Sequence, residues 1–438
     1  MSIERFSSDV QSAFVSRERH VNGHADGPLH TARRNALEAY TRQGVPTTRH
    51  EEWKYTNLMP LMGLDFVPAE GPADFAPASV PPLPGVDAWK IVMVNGIFDA
   101  ASSTLPNGVE GLHVLPLTDE LVAGDASVRE KINTTLPMDT HPFVALNTAI
   151  AHGGMVIKVD VRTIVDRPVH VVIIGTSPSN NVLHTPRILI IAEAFSSLHV
   201  IESHHTVGTH AALGVAVTEI FGAEESHVNY TKLVDDVSLG HHIGYTGVHL
   251  DKAAKAVCMT SCTGGAFTRN DLSIRLLHPT AEGYLYGVSV LDGKEYADNH
   301  TVVDHTVPYC HSEELYKGIY NGSSTGVFNG KIYVRPQAQK TTAYQSNHTL
   351  LLSDGAQVNA KPQLEIWADD VKCSHGATSG QLDEEAIFYL RSRGLGVDDA
   401  RALLTFAFAA DVTSHLEHEG LRTFIEERIQ NKLESWRD

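Results

Sequence analysis

From about residue 155 to residue 370 the chain is a succession of short β-prone runs with hardly any helical stripe among them. Residues 169–174, 187–191, 216–221, 284–291, 331–334 and 364–367 are strand candidates by their β-branched content and alternation. Between such runs stand Ser177 to Asn181, Asp235-Asp236, Gly264-Gly265, Asp292-Gly293, Asn321-Gly322, Asn329-Gly330 and Asp354-Gly355. All these read as turns, because their residue types tolerate the positive φ of tight corners. More than two hundred residues of this kind can fold as a pair of sandwiches, a propeller or a solenoid. A propeller would show a blade signature recurring near every forty residues, and none is visible. Continuous apolar runs mixed with alternating ones suit strands whose one face lines a long interior, which favours a parallel β-helix.

The two ends differ from this middle. Ala32, Ala36, Leu37 and Tyr40 recur at helical spacing over residues 29–43, with Gly44 as C-cap and Pro46 forbidding continuation. Residues 67–86, rich in Pro, Ala and Gly, read as a connector, and the first clear strand is 90–95, ending at the turn Asn95-Gly96. After Gly380 the pattern is helical again. Asp383 caps a helix that Gly394 stops. A second helix starts near Asp398 and carries Ala402, Leu403, Phe406 and Ala410, and a third, over 416–433, holds Leu421, Phe424, Ile425 and Ile429. The expected organisation is therefore a helical region with connector at 1–85, a β-helix core at 86–380, and a helical docking module at 381–438.

The formal charge of -18, from 52 acidic against 34 basic side chains, repels a phosphate backbone, and no Lys/Arg run overcomes it. Nucleic acid is not an expected partner. No leader pattern opens the chain and no apolar stretch approaches the roughly 18 residues of a membrane span, so a cytoplasmic protein without membrane contact is expected. The Asn-x-Ser/Thr triplets at Asn133, Asn229, Asn299, Asn321 and Asn347 are then read as turn asparagines. No phosphate-cradling Gly-x-x-x-x-Gly-Lys-Ser/Thr, nucleophile elbow, zinc helix or dinucleotide fingerprint occurs, so a non-catalytic role is expected, with any energy input supplied by a partner. A polysaccharide lyase or hydrolase on the same solenoid is the alternative, and it would need paired carboxylates in an exposed cleft.

Four cysteines, Cys258, Cys262, Cys310 and Cys373, are too few and too irregular for a disulfide framework. Cys258 and Cys262 read as buried thiols, and Cys310 and His311, adjacent on an extended chain, point to opposite faces. The pairs His204-His205 and His241-His242, with His300 and His305, could be stacked on successive coils, and solvated or hydrogen-bonded turn histidines are the default. Cys373-Ser-His375 differs, because residues two apart on an extended segment share a face. The pair sets a soft thiol beside an imidazole, suited to iron, zinc or copper, and a charged imidazole would lower the thiol pKa. Two ligands do not close a tetrahedral site, so a second chain must supply the rest.

The stretch 369–380, Asp-Asp-Val-Lys-Cys-Ser-His-Gly-Ala-Thr-Ser-Gly, followed by Phe388-Tyr-Leu-Arg-Ser-Arg-Gly394, resembles the C-terminal signature of the SufB/SufD family of iron–sulfur cluster assembly proteins. Glu52-Trp-Lys-Tyr-Thr56, Val327-Phe-Asn-Gly330 and residues 345–352 match as well. The Cys-Ser-His-Gly turn looks like the SufD branch; a SufB-type main scaffold is the alternative. The resemblance implies a right-handed parallel β-helix flanked by helical regions, in a complex with SufB and the ATPase SufC whose movement strains the SufB–SufD interface. It implies Cys373 and His375 as interface ligands for a transient iron–sulfur cluster or iron, with no permanently bound cofactor. It also implies SufC docking on the C-terminal helices, with Phe388, Tyr389, Leu390, Arg393, Leu403 and Phe406 as candidates, and self-pairing of the isolated protein.

Overall fold

Successive strands of the middle region alternate between two parallel sheets, and each strand pairs with the one two places before it, about thirty residues back. A computed structural model describes residues 2–20, 27–71, 82–106 and 108–436. The first sheet runs from Met155–Val159 through Arg187–Ala192 and six further strands to Gln357–Ile366. The second runs from Trp89–Val94 through Val169–Ser177 to Lys372–Gly380. The result is a β-solenoid of about eight turns with helices at both ends.

The period-two alternation explains how the coil closes on a dry interior. Ile190, Ile220, Val248, Ile274, Val303 and Ile332 occupy one register column of the first sheet, all pointing inward and all buried. Burying each such side chain contributes about 1.5–3 kcal/mol, so the column is a continuous stabilising spine. The outward faces are covered in turn. Phe6, Val10 and Phe14 of the helix Ser2–His20 cluster with Trp53, Phe143 and the outward Val215 and Val217 of the first sheet. Phe424, Ile425 and Ile429 of the helix Glu419–Glu434 pack with Val257, Met259 and Ile319 of the second.

The segment around Trp53 is clamped onto the first sheet. Arg269, 1% exposed, donates to Asp298 Oδ2 and Asp271 Oδ2 at 2.8 and 2.9 Å and to the Glu52 carbonyl at 2.8 Å, with its guanidinium 3.8 Å from the Trp53 ring centre. Glu52 pairs with Lys331 and lies 3.6 Å from His300, and Thr56 donates to Asp298. The hydrogen bond from His300, against the opposing effect of burial and with Lys331 added, holds the Glu52 carboxyl down to about 2.

Several expectations hold at the residue level. The helix Pro28–Gln43 ends at Gly44, whose φ is 65° and whose N–H reaches the Tyr40 carbonyl at 2.7 Å. Asn95 and Gly96, at φ 51° and 82°, turn the hairpin between Trp89–Val94 and Ile97–Asp99. Asp383 caps Glu384–Ser392. Other expectations are corrected. Asn329-Gly330 is no turn: both lie inside the strand Thr325–Val334. Asn229, Asn299 and Asn347 also lie in strands, the last two buried, whereas Asn133 does take a left-handed turn conformation. The third C-terminal helix starts later, at Glu419 behind an N-cap at His418. The helices Ser2–His20, Asp119–Gly124, Ala126–Lys131 and Pro142–Ile150 add to those expected from sequence. Of the connector at 67–86, residues 72–81 lie outside the described residues, and Val67–Pro68 form a short strand paired with Val182–Leu183.

Candidate functional site

One column of the second sheet changes character along the solenoid. Its inward residues are Val169, Val200, Tyr230, Cys258 and Leu285, then Glu314, Gln345 and His375. The parallel column through Lys232, Thr260, Gly287, Tyr316 and Asn347 ends at Ala377, and a third through Ala343 ends at Cys373. Cys373 and His375 therefore share the inward face of the last strand, as their spacing predicts. That strand pairs with Thr342–Leu351 on one edge only, and among the described residues no strand lies beyond it. Most of its residues are exposed, so the solenoid ends in an unpaired edge.

Cys373 is half-buried and packs against the interior core, while His375 is exposed. Burial pushes the Cys373 thiol up, against a hydrogen bond from the Ala343 backbone. Desolvation thus acts opposite to the lowering that a charged imidazole beside the thiol would bring. Behind the pair the interior is polar. Gln345 Nε2 donates to Glu314 Oε2 at 2.7 Å, and burial pushes the Glu314 carboxyl up to about 7.

The remaining cysteines lie elsewhere. Cys258, Cys262 and Cys310 are buried, and burial raises each thiol, to about 12, about 11 and about 11. Cys310 and His311 do not share a face: the Cys310 Sγ turns inward, 3.4 Å from the His278 carbonyl oxygen. A thiol reagent applied to the native protein is expected to modify Cys373 first, with the other three reacting only on unfolding. Mass spectrometry of the labelled chain checks this, and equal labelling of Cys258 would contradict the burial.

The central histidines are strand residues rather than turn residues. The His204 ring lies tilted against that of His242 with ring centres 4.1 Å apart, and its Nε2 meets Glu202 Oε1 at 2.7 Å. Among the described residues no group of three or more His, Cys, Asp and Glu could hold a metal ion. No helix among them is long and apolar enough to cross a membrane.

The C-terminal helices leave an apolar group uncovered. Phe388 is 72% exposed, and Tyr389 and Leu403 are also exposed. Arg393 lies over the Tyr389 ring, 5.2 Å from its centre. Leu390 is intermediate, and Phe406 packs partly against the core under these helices. Glu314 and Gln345 were not singled out as site residues in the sequence, and only successive steps of about thirty residues, from Glu314 to Gln345 to His375, could have revealed them.

Residues 174–408 match the family description "SUF system FeS cluster assembly, SufBD core domain", and residues 6–171 match the SufBD N-terminal region. The chain belongs to the SufBD family. It is 32% identical over 409 residues to the iron–sulfur cluster assembly protein SufD of Escherichia coli K12, covering 91% of each chain. It is 29% identical to the SufBD family protein slr0076 of Synechocystis over 93% of this chain and 92% of the relative. The SufD protein of Bacillus subtilis is 27% identical over 68% of each. Members of this family are iron–sulfur cluster assembly proteins by name, and the chain is assigned to that process. The matching segments of the sequence acquire a structural reason within the fold. Glu52 to Thr56 clamps the N-terminal region onto the coil, and Gly330 and Gln345 face each other across its interior.

Proposed function

We propose that this chain is a non-catalytic scaffold subunit that meets SufB through its open solenoid end and contributes Cys373 and His375 to a nascent cluster held between the two chains. The observation that carries the reading is the last strand, Lys372–Gly380, with a free edge and an inward thiol and imidazole. A strand edge of that kind is completed by another chain, and the donor set suits iron. Iron and sulfide are then cargo built across an interface, with the missing ligands supplied by the partner. The exposed Phe388, Tyr389 and Leu403, with Leu390, Arg393 and Phe406 beside them, are proposed to dock SufC, the cytoplasmic ATPase that supplies the energy this chain has no motif for. Self-pairing through the same edge is proposed for the isolated protein.

In cells that depend on this pathway, Cys373→Ala and His375→Ala are each expected to leave folding and SufC binding intact and to lower cluster formation at least about tenfold. Iron and sulfide content of the co-expressed complex measures it. Wild-type content in both variants would remove the proposed role.

A further inference from the structure

Behind His375 the interior column holds two polar side chains that do not satisfy one another. Gln345 and Glu314 are 1% and 2% exposed. One hydrogen bond joins them, from Gln345 Nε2 to Glu314 Oε2. Gln345 Oε1, like Glu314 Oε1 one rung deeper, is sealed from solvent with no hydrogen-bond partner among the described residues. A buried amide oxygen without a donor costs about 1–3 kcal/mol, so its persistence calls for an explanation. The position is also built around the amide. Across the interior, a side chain at Gly330 would collide with Gln345 Nε2.

With Glu314 ionised its Oε2 accepts from Gln345 Nε2, so the nitrogen points back along the column and the carbonyl oxygen is left for the next rung. The next rung is His375, paired with Gln345 in register on the same inward face. Adjacent strands stand about 4.8 Å apart, which brings an imidazole N–H on the outer rung within reach of that oxygen by side-chain rotation. Metal-bound imidazoles ordinarily donate the other ring N–H to an acceptor, which fixes the tautomer and raises the basicity of the ligating nitrogen.

We infer that Gln345 is a positioning residue for His375: with its amide nitrogen fixed on Glu314, it offers its carbonyl oxygen to one ring N–H of His375 and leaves the other ring nitrogen free to bind iron. The inference rests on the reading of His375 as a ligand. Glu314 acts one step further back, since it sets which end of the Gln345 amide faces outward. Gly330 completes the device by leaving the amide room, although it touches no ligand.

The test uses the full-length chain in its co-expressed complex with SufB, with Co2+ as the probe, titrated by absorbance, together with the imidazole 15N signals of His375 assigned by their loss in H375A. The expected result is a single His375 tautomer in the wild type. Q345M, close in size, should mix the tautomers and weaken Co2+ binding about tenfold. Q345E, in which the new carboxyl shares one proton with Glu314 and still presents an acceptor oxygen to His375, should restore the single tautomer, and it keeps the question answerable if Q345M does not fold. A wild-type tautomer and wild-type affinity in Q345M, with H375A clearly weakened, overturns the inference and leaves His375 a ligand. Mixed tautomers in Q345E overturn it equally. If H375A binds Co2+ as the wild type does, the ligand reading fails and takes the inference with it.

Discussion

Acidification from pH 7 to pH 4 is expected to unfold this protein cooperatively, with uptake of several protons. His170, His184 and His305 are buried, and burial pushes their imidazoles down to about 4, about 3 and about 3. His242 is also lowered by burial, well below the ordinary value. In the unfolded chain such groups take up a proton near pH 6.5, so each contributes stability that is whole above that pH. The contribution is lost as pH falls from 6.5 toward the folded values of 4 to 3. The fall from 6.5 to about 4 or about 3 corresponds to about 3–5 kcal/mol for each group, and three such groups rival the 5–15 kcal/mol by which a domain is stable. His300 runs the other way: Asp298 and Glu52 raise it against burial and Arg269, so it does not add to the acid loss. Denaturant titrations at pH 7, 6 and 5 measure the slope. A midpoint that does not move over that range would show that the interior imidazoles are not held neutral.

Arg269→Ala is expected to cost about 3–5 kcal/mol, because removing one partner strands a buried charge. Asp298, 0% exposed, would keep His300 at 3.0 Å as its remaining cationic neighbour. Burial pulls the Arg269 guanidinium down, and Asp271 and Asp298 more than reverse it, so the ion is charged at every pH at which the protein is folded. The same change removes the cation over Trp53 and the hydrogen bond to the Glu52 carbonyl, so the segment at residues 51–56 should become a protease site at Lys54. Arg269→Lys keeps a charge without the planar fork and should fall between the two. Equal denaturation midpoints for wild type and Arg269→Ala, with residues 51–56 still protected, would mean that the clamp contributes nothing.

The solenoid was legible because its signal is local: alternation within each run and turn residues between runs. The Cys373–His375 pairing was legible for the same reason, since two residues apart on a strand is a rule of backbone geometry. What lies behind the pair was not. Glu314, Gln345 and His375 form one column only after two coils have been wound in register, and nothing near any of them announces the others. Asn329-Gly330 failed differently, because Asn-Gly is a strong hairpin signal and here the glycine is kept for the space it leaves beside Gln345. The helix Ser2–His20 was missed although Phe6, Val10 and Phe14 stand four apart, a stripe visible only when scattered aromatics in a polar segment are read together.

The register also says where this fold can change length. Tyr296 pairs with Thr325, and Thr325 pairs with Gln357, so the second of these coils is the longer one. The surplus falls in the corners: the gap from Val334 to Thr342 is longer than that from His305 to His311, while the strands on either side keep ten residues each. An insertion inside a strand would turn every later residue of that strand inside out, and a corner absorbs one without disturbing its neighbours. Drift in sequence is therefore cheap and a shift of register within a strand is costly, which suits relatives such as the E. coli and Synechocystis proteins that align over nine-tenths of their length while sharing about a third of their residues.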